Sequence, residues 1–97
     1  MELHLINNSQ QKRYEFHIQD QIAYAEYILA GERIVLTHTE IPVALEGQGI
    51  GSALVKAALE DIQQKNLILV PLCPFVAGYI KKHPEWKELV LKGINVG

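Results

Sequence analysis

The sequence predicts an α+β domain, an antiparallel β-meander that runs into a βαβ unit with parallel strands. Three observations carry this reading. Residues 13–19 alternate apolar and polar side chains, the period-two pattern of a strand with one buried face. Ile50, Ala53, Leu54, Ala57, Ala58, Leu59 and Ile62 share one helical face, with Lys56, Glu60, Gln63 and Gln64 opposite. Leu67-Ile68-Leu69-Val70 is wholly apolar, which reads as a strand buried between others.

Taken in order, Leu3 to Ile6 is a short strand, and Asn7-Asn8-Ser9-Gln10-Gln11 is a turn by composition. The second strand puts Tyr14, Phe16 and Ile18 on its buried face and Arg13, Glu15, His17 and Gln19 on the other. Ile22 to Leu29 forms the third, where small Ala23 and Ala25 leave room for a helix to pack close. Ala30-Gly31-Glu32 turns the chain into a fourth strand, Arg33 to Ile41, which Pro42 stops because it cannot donate to a ladder. Lys65-Asn66 ends the long helix, and the next strand completes the βαβ unit. Phe75 to Lys82 is a short helix with Pro74 at its first position, followed by a helical turn or two from Pro84 to Leu89.

Ninety-seven residues fit one domain, 1–97. The apolar share of 48% and charged share of 21% are those of an ordinary globular protein. A formal charge of −2 offers no basic face to a nucleic-acid backbone. No run approaches the ~20 apolar residues of a membrane span, and the first ten residues lack a signal-peptide pattern. A single cysteine, Cys73, forms no intramolecular disulfide. The expectation is a cytoplasmic domain with no nucleic-acid or membrane partner, a monomer or weak homodimer. One Cys and scattered His give no zinc-like spacing, so no metal is expected.

The most informative stretch is Glu46-Gly47-Gln48-Gly49-Ile50-Gly51-Ser52, which leads straight into the long helix. Glycines at every second position let the backbone approach a ligand with its amides turned outward. The positive end of the helix meets the same spot, so the segment suits an anion such as a pyrophosphate. Such loops are common and name no enzyme alone. Gly-Lys-Ser/Thr of a P-loop is missing, and Ser52 stands where a dinucleotide fingerprint has Gly, so a nucleotide-phosphate domain ranks third among the readings.

Four ordered motifs make the chain look familiar: Thr37-His38-Thr39-Glu40-Ile41-Pro42, Glu46 to Gly51, Pro71-Leu72-Cys73-Pro74-Phe75, and His83-Pro84-Glu85-Trp86. Together with the meander and βαβ unit they resemble the GNAT superfamily of acetyl-CoA-dependent N-acetyltransferases. The likeness is closest to a compact single-domain branch of uncharacterised members with a cysteine ending the last core strand. It implies a mixed sheet whose parallel strands splay, with acetyl-CoA between them. By that likeness the main chain of Ile41 and Val43 meets the pantetheine arm. Glu46, Gly47, Gln48, Gly49, Ile50, Gly51 and Ser52 line the pyrophosphate, and Tyr79 and Lys82 lie at the cofactor. Two positions depart from the pattern. Glu46 stands where most relatives carry Arg or Gln. The usual tyrosine acid on the last helix aligns with Ile80, and Tyr79 is one residue off, about 100° around the helix. The long N-terminal helices that normally shape an acceptor pocket are also missing.

Acetyl transfer to an amine needs an oriented thioester, a deprotonated amine, and stabilisation of oxyanion and thiolate. Pro42 and Pro71 each remove a ladder donor, which allows a gap between the strands, although prolines also simply end strands. Cys73 precedes a helix start, a place that favours thiolate, and is a candidate nucleophile or acid to the departing CoA sulfur. The plainer reading is a small buried hydrophobe. His38 and Glu40 share a strand face and are candidates to take the amine proton, although strand-face polar residues are more often only solvated. His83 reads more readily as a turn residue, and Phe75 and Tyr79 as packing. The leading function is an N-acetyltransferase acting on an unidentified amine or peptide acceptor. The alternative is a non-catalytic CoA or acyl-CoA binding module or sensor.

Overall fold

A four-residue turn joins the first two strands, and two-residue turns join the second to the third and the third to the fourth. The computed structural model describes residues 3–96; Met1, Glu2 and Gly97, the ends of the expected domain, lie outside the described residues. β1 (Ile6–Asn8), β2 (Arg13–Ile18), β3 (Gln21–Ala30) and β4 (Arg33–Glu40) form the expected antiparallel meander. β5 (Ile68–Pro71) joins β4 in parallel, giving the order β1-β2-β3-β4-β5. The helix α1 (Ile50–Gln64) crosses between them, and α2 (Pro74–Lys82) and a 3₁₀ segment (Pro84–Leu89) follow. Gln19 and Asp20 both take positive φ between β2 and β3, the backbone of a hairpin turn whose twist matches its strands. The α+β class expected from the pattern is the one observed.

The core lies between α1 and one face of the sheet. Leu54, Val55, Ala58, Leu59 and Ile62 bury themselves against Tyr14, Phe16, Ala23, Ala25, Tyr27, Ile34 and Leu36. Ala23 and Ala25 give the helix its close approach, as their size predicts. The far end of α1 is tied to β2 by the Tyr14 hydroxyl, which donates to Asp61 at 2.8 Å. Burial, and then that bond to the carboxylate, pushes the Tyr14 phenol well above its ordinary range.

Two expectations need correction. The first strand is Ile6–Asn8 rather than Leu3 to Ile6, because the asparagines are bonded and not free to turn. Asn7 accepts from the Tyr27 hydroxyl at 2.6 Å, and Asn8 donates to Glu15 at 3.0 Å. The apolar run at Leu67 to Val70 does not lie between strands. β5 is the sheet edge and alternates in burial, its outer side met, among the described residues, by a bridge from Leu69 to Val90. Glu15 lies on the outer face, as expected, yet its neighbours cover it: it is 2% exposed.

Glu15 is bonded to Arg13, to His17 at 2.7 Å and to Asn8. Burial alone would raise its carboxyl, but the bonds from His17, Arg13 and Asn8 outweigh this and hold it below the usual range. A carboxylate with a depressed folded-state pKa contributes stability above its unfolded value, and that contribution is lost as pH falls through the folded one. Glu15→Gln should therefore lower the melting temperature at neutral pH by the equivalent of ~1–3 kcal/mol. It should also flatten the acid-side loss of stability. Equal pH slopes for the variant and the wild type, followed by calorimetry, would rule this out.

Candidate functional site: a split strand pair and a glycine-loop cleft

β4 and β5 pair only over half of β4. Their register runs from Arg33↔Ile68 to Leu36↔Pro71 and closes with the Cys73 amide donating to the Leu36 carbonyl at 2.9 Å. Pro71 has no amide to extend the ladder. The chain then turns sharply, the Leu72 amide reaching back to the Val70 carbonyl at 3.2 Å. Thr37 to Glu40 keep β3 on one side and, among the described residues, have no strand on the other. The parallel strands splay, as the resemblance implies.

A bulge in β4 decides what faces this opening. Glu26 pairs with His38 and Tyr27 with Leu36, which leaves Thr37 as an extra residue. One extra residue inverts every later side chain. Ile34 and Leu36 face the core before the bulge, and Thr39, opposite Ala25, faces it afterwards. The Thr39 hydroxyl lies 3.3 Å from the Cys73 sulfur, which is 3% exposed. His38 and Glu40 occupy the other face beside Tyr24 and Glu26, 3.3 Å from each other and both more than half exposed. The sequence paired His38 and Glu40 correctly, but it missed Thr39. The bulge is the only signal, and the alternation of Thr-His-Thr-Glu hides it.

Past Glu40 the chain becomes a 3₁₀ turn, Val43–Leu45, instead of continuing the strand. The Val43 carbonyl is taken by the Glu46 amide at 3.2 Å, so Val43 offers no strand-like edge; Ile41, next to β4, does line the cleft. Gly47 and Gly49 take positive φ of 80° and 74°, and Gly49 caps α1 from the left-handed region with no side-chain cap. The first helical bond is Ala53 to Gly49 at 3.1 Å, so the amides at the start of α1 have no intrahelical acceptor. They open on a cleft of about 390 Å³ lined by Ile41, Leu45, Glu46, Gly47, Gly49, Ile50, Gly51, Ser52 and Phe75. A Cβ at Gly51 would lie 2.7 Å from Phe75 Cζ, so glycine is what lets the ring lie over the first turn of α1. Phe75 is 45% exposed: it packs on α1, as expected, and also forms a wall of the cleft.

A second cleft of about 230 Å³ shares Ser52 and Phe75 with the first and continues along α2 past Pro74, Gly78, Tyr79, Lys82 and His83. Tyr79 and His83 stack at 4.3 Å. Burial raises the Tyr79 phenol, with Glu85 and Glu60 adding to the effect and the Trp86 indole opposing it. Ile80 is fully buried and cannot meet a ligand. Lys82 and Tyr79 both border this cleft, and Gln48 points its side-chain amide back to the Ala44 carbonyl at 3.4 Å.

A meander feeding a split parallel pair, with a glycine-rich helix start at the split, defines an acetyltransferase-type fold. The GCN5-related N-acetyl-transferase family matches residues 13–89, and the chain belongs to it. Among similar proteins, Protein NATD1 of Gallus gallus and of Homo sapiens are each 41% identical over 59 residues, 60% of this chain and 54% and 52% of theirs. Protein NATD1 of Danio rerio is 30% identical over 87 residues, 82% of this chain and 79% of its own. The chain spans about half the length of the chicken and human relatives in those matches. No described helix is long and apolar enough to cross a membrane.

Proposed function

We propose that this protein transfers an acetyl group from acetyl-CoA to an amine, the thioester lying along the unpaired half of β4. The observation that carries this reading is the continuity of three features. The unpaired stretch of β4 leads to Ile41, Ile41 borders the glycine-loop cleft, and the end of β5 holds Cys73 at the split. The residues fit such a ligand: backbone amides at a helix start suit a diphosphate, and glycines hold the cleft open. When bound, acetyl-CoA supplies an activated acyl group on sulfur.

The chain's own residues then have four tasks. The amides of Gly47 to Ser52 grip the diphosphate. The free edge of β4 orients the pantetheine amides as an added strand would. His38 and Glu40, on the open face, accept the proton that the amine gives up as its C–N bond forms. Cys73, with Thr39 holding its sulfur, returns a proton to the sulfur that leaves as the C–S bond breaks, or takes the acetyl group first as a nucleophile. Ile80 in place of the usual tyrosine supports giving this task to Cys73.

Acetyl-CoA titrated into ¹⁵N-labelled protein should shift residues 41–52 saturably, and labelled acetyl groups should appear on some member of an amine and peptide panel. Gly51→Val, which drives its side chain into Phe75, should weaken uptake ~10-fold. Saturable binding without product on any amine would identify a CoA-binding module instead. No uptake, or shifts elsewhere, would end the proposal.

A further inference from the structure

Both helices bury their apolar side chains in the core on one face of the sheet. On the other face, the outward residues of β3, β4 and β5 fall into successive rows. Beside the split stand Glu26 and His38, with Tyr24 and Glu40 next to them. The following row is Ile28, Val35 and Val70, where Ile28 is 52% exposed and the valines are half-buried. The last row is Ala30, Arg33 and Ile68. Along β3 each row lies two residues, or ~6.7 Å, from the one before. Among the described residues the Glu26 carboxylate and the Arg33 guanidinium form no ion pair, in contrast to Arg13 with Glu15 and Lys65 with Asp61. The face is thus acidic at the split, aliphatic in the middle and cationic at the far end.

The geometry points to this face as the docking surface for the acceptor, an extended protein segment that carries the reacting lysine, an aliphatic residue two positions away and a carboxylate two beyond that. This rests on the acetyl-transfer reading above. In an extended segment every second side chain shares a face, at the same period as the rows. A strand laid over a sheet aligns with its strands and stands ~10 Å above them, a gap that calls for a long side chain such as lysine to reach the split. There the ammonium meets Glu26 and Glu40 before it gives up its proton. The aliphatic residue covers Ile28, Val35 and Val70, and the carboxylate meets Arg33. An open sheet face suits a segment better than a small amine, whose sites are concave. Three aliphatic side chains are too few for a second copy, since a stable interface takes about 20–30 residues a side.

The test measures kcat/KM for labelled acetyl transfer to Lys-x-Leu-x-Glu peptides, made in both chain directions, against Lys-x-Ser-x-Glu, Lys-x-Leu-x-Arg and a panel of small amines. Exchanging the leucine for serine should cost ~5–10-fold, and exchanging the glutamate for arginine ~3-fold. Ile28→Thr should remove most of the leucine preference, and Ile28→Leu should keep it. Arg33→Glu should reverse the choice at the last position, so that the arginine peptide becomes the better acceptor; a reversal also shows that the variant is folded. Transfer confined to small amines, or equal rates on all the peptides, would overturn the docking face while leaving acetyl transfer intact. Preferences that survive in Ile28→Thr and Arg33→Glu would overturn the placement on these rows. A dimer in sedimentation, with Ile28, Val35 and Val70 amides shifting on dilution, would make the face an interface between copies instead. Uptake of acetyl-CoA without transfer to any amine would end the transfer reading and this inference with it.

Discussion

Replacing Cys73 by alanine is expected to reduce acetyl transfer by ~10²-fold or more while leaving CoA affinity within about twofold. The argument is geometric. Cys73 ends β5 where pairing with β4 stops, its amide still bonded to Leu36 and its sulfur 3.3 Å from the Thr39 hydroxyl. The glycine-loop cleft is lined by other residues, so the diphosphate grip does not depend on it. Loss of one buried sulfur should lower stability by only ~1 kcal/mol, too little to unfold the domain. Intact-mass spectrometry after exposure to acetyl-CoA separates the two roles. An acetyl adduct on the wild type that is absent from Cys73→Ala marks a nucleophile. A wild type free of adduct, with turnover still lost in the variant, marks a proton donor. Turnover equal to wild type in Cys73→Ala would remove the residue from the mechanism. Thr39→Val should give a smaller loss that Thr39→Ser restores, because only the hydroxyl holds the sulfur.

The second large effect is on stability. Leu54 is fully buried on the face of α1 that meets the sheet, and Leu54→Ala should lower the free energy of unfolding by about 3 kcal/mol. Domains of this size have only ~5–15 kcal/mol in total, so the melting temperature should drop by roughly 10–20 °C. The mechanism is a cavity between α1 and β3, where Ala23 and Ala25 have no side chain able to collapse into the space. A shift under about 3 °C in a thermal melt would mean that the helix repacks, and that the small residues of β3 do not fix its height.

These two effects sit at different depths of legibility. Leu54 could be read directly, because its place on a 3.6-residue stripe needs no knowledge of the rest of the chain. Cys73 was legible as a candidate from its position before Pro74, and the glycine loop from its spacing and the helix behind it. Glu15 was not. Alternation assigned it to the outer face, correctly, but periodicity carries no information on whether neighbouring side chains cover that face. Arg13, Asn8 and His17 do so through bonds to its carboxylate, and Asn8 comes from a strand placed too early in the sequence reading. The edge position of β5 was likewise hidden. An all-apolar run looks the same whether a strand or only the Val90 bridge covers its outer side.

The amino-acid order alone determined the meander, the helix and its buried stripe, the parallel return strand, and a helix start suited to an anion. Each follows from local geometry: a two-residue or 3.6-residue period, a proline without an amide, a glycine free to take positive φ. The tertiary structure decided which side chains meet at the split. The extra residue at Thr37 turns Thr39 toward Cys73 and sends His38 and Glu40 to the opposite face. That outcome depends on how β4 aligns with β3, a relation between distant residues that no local period records.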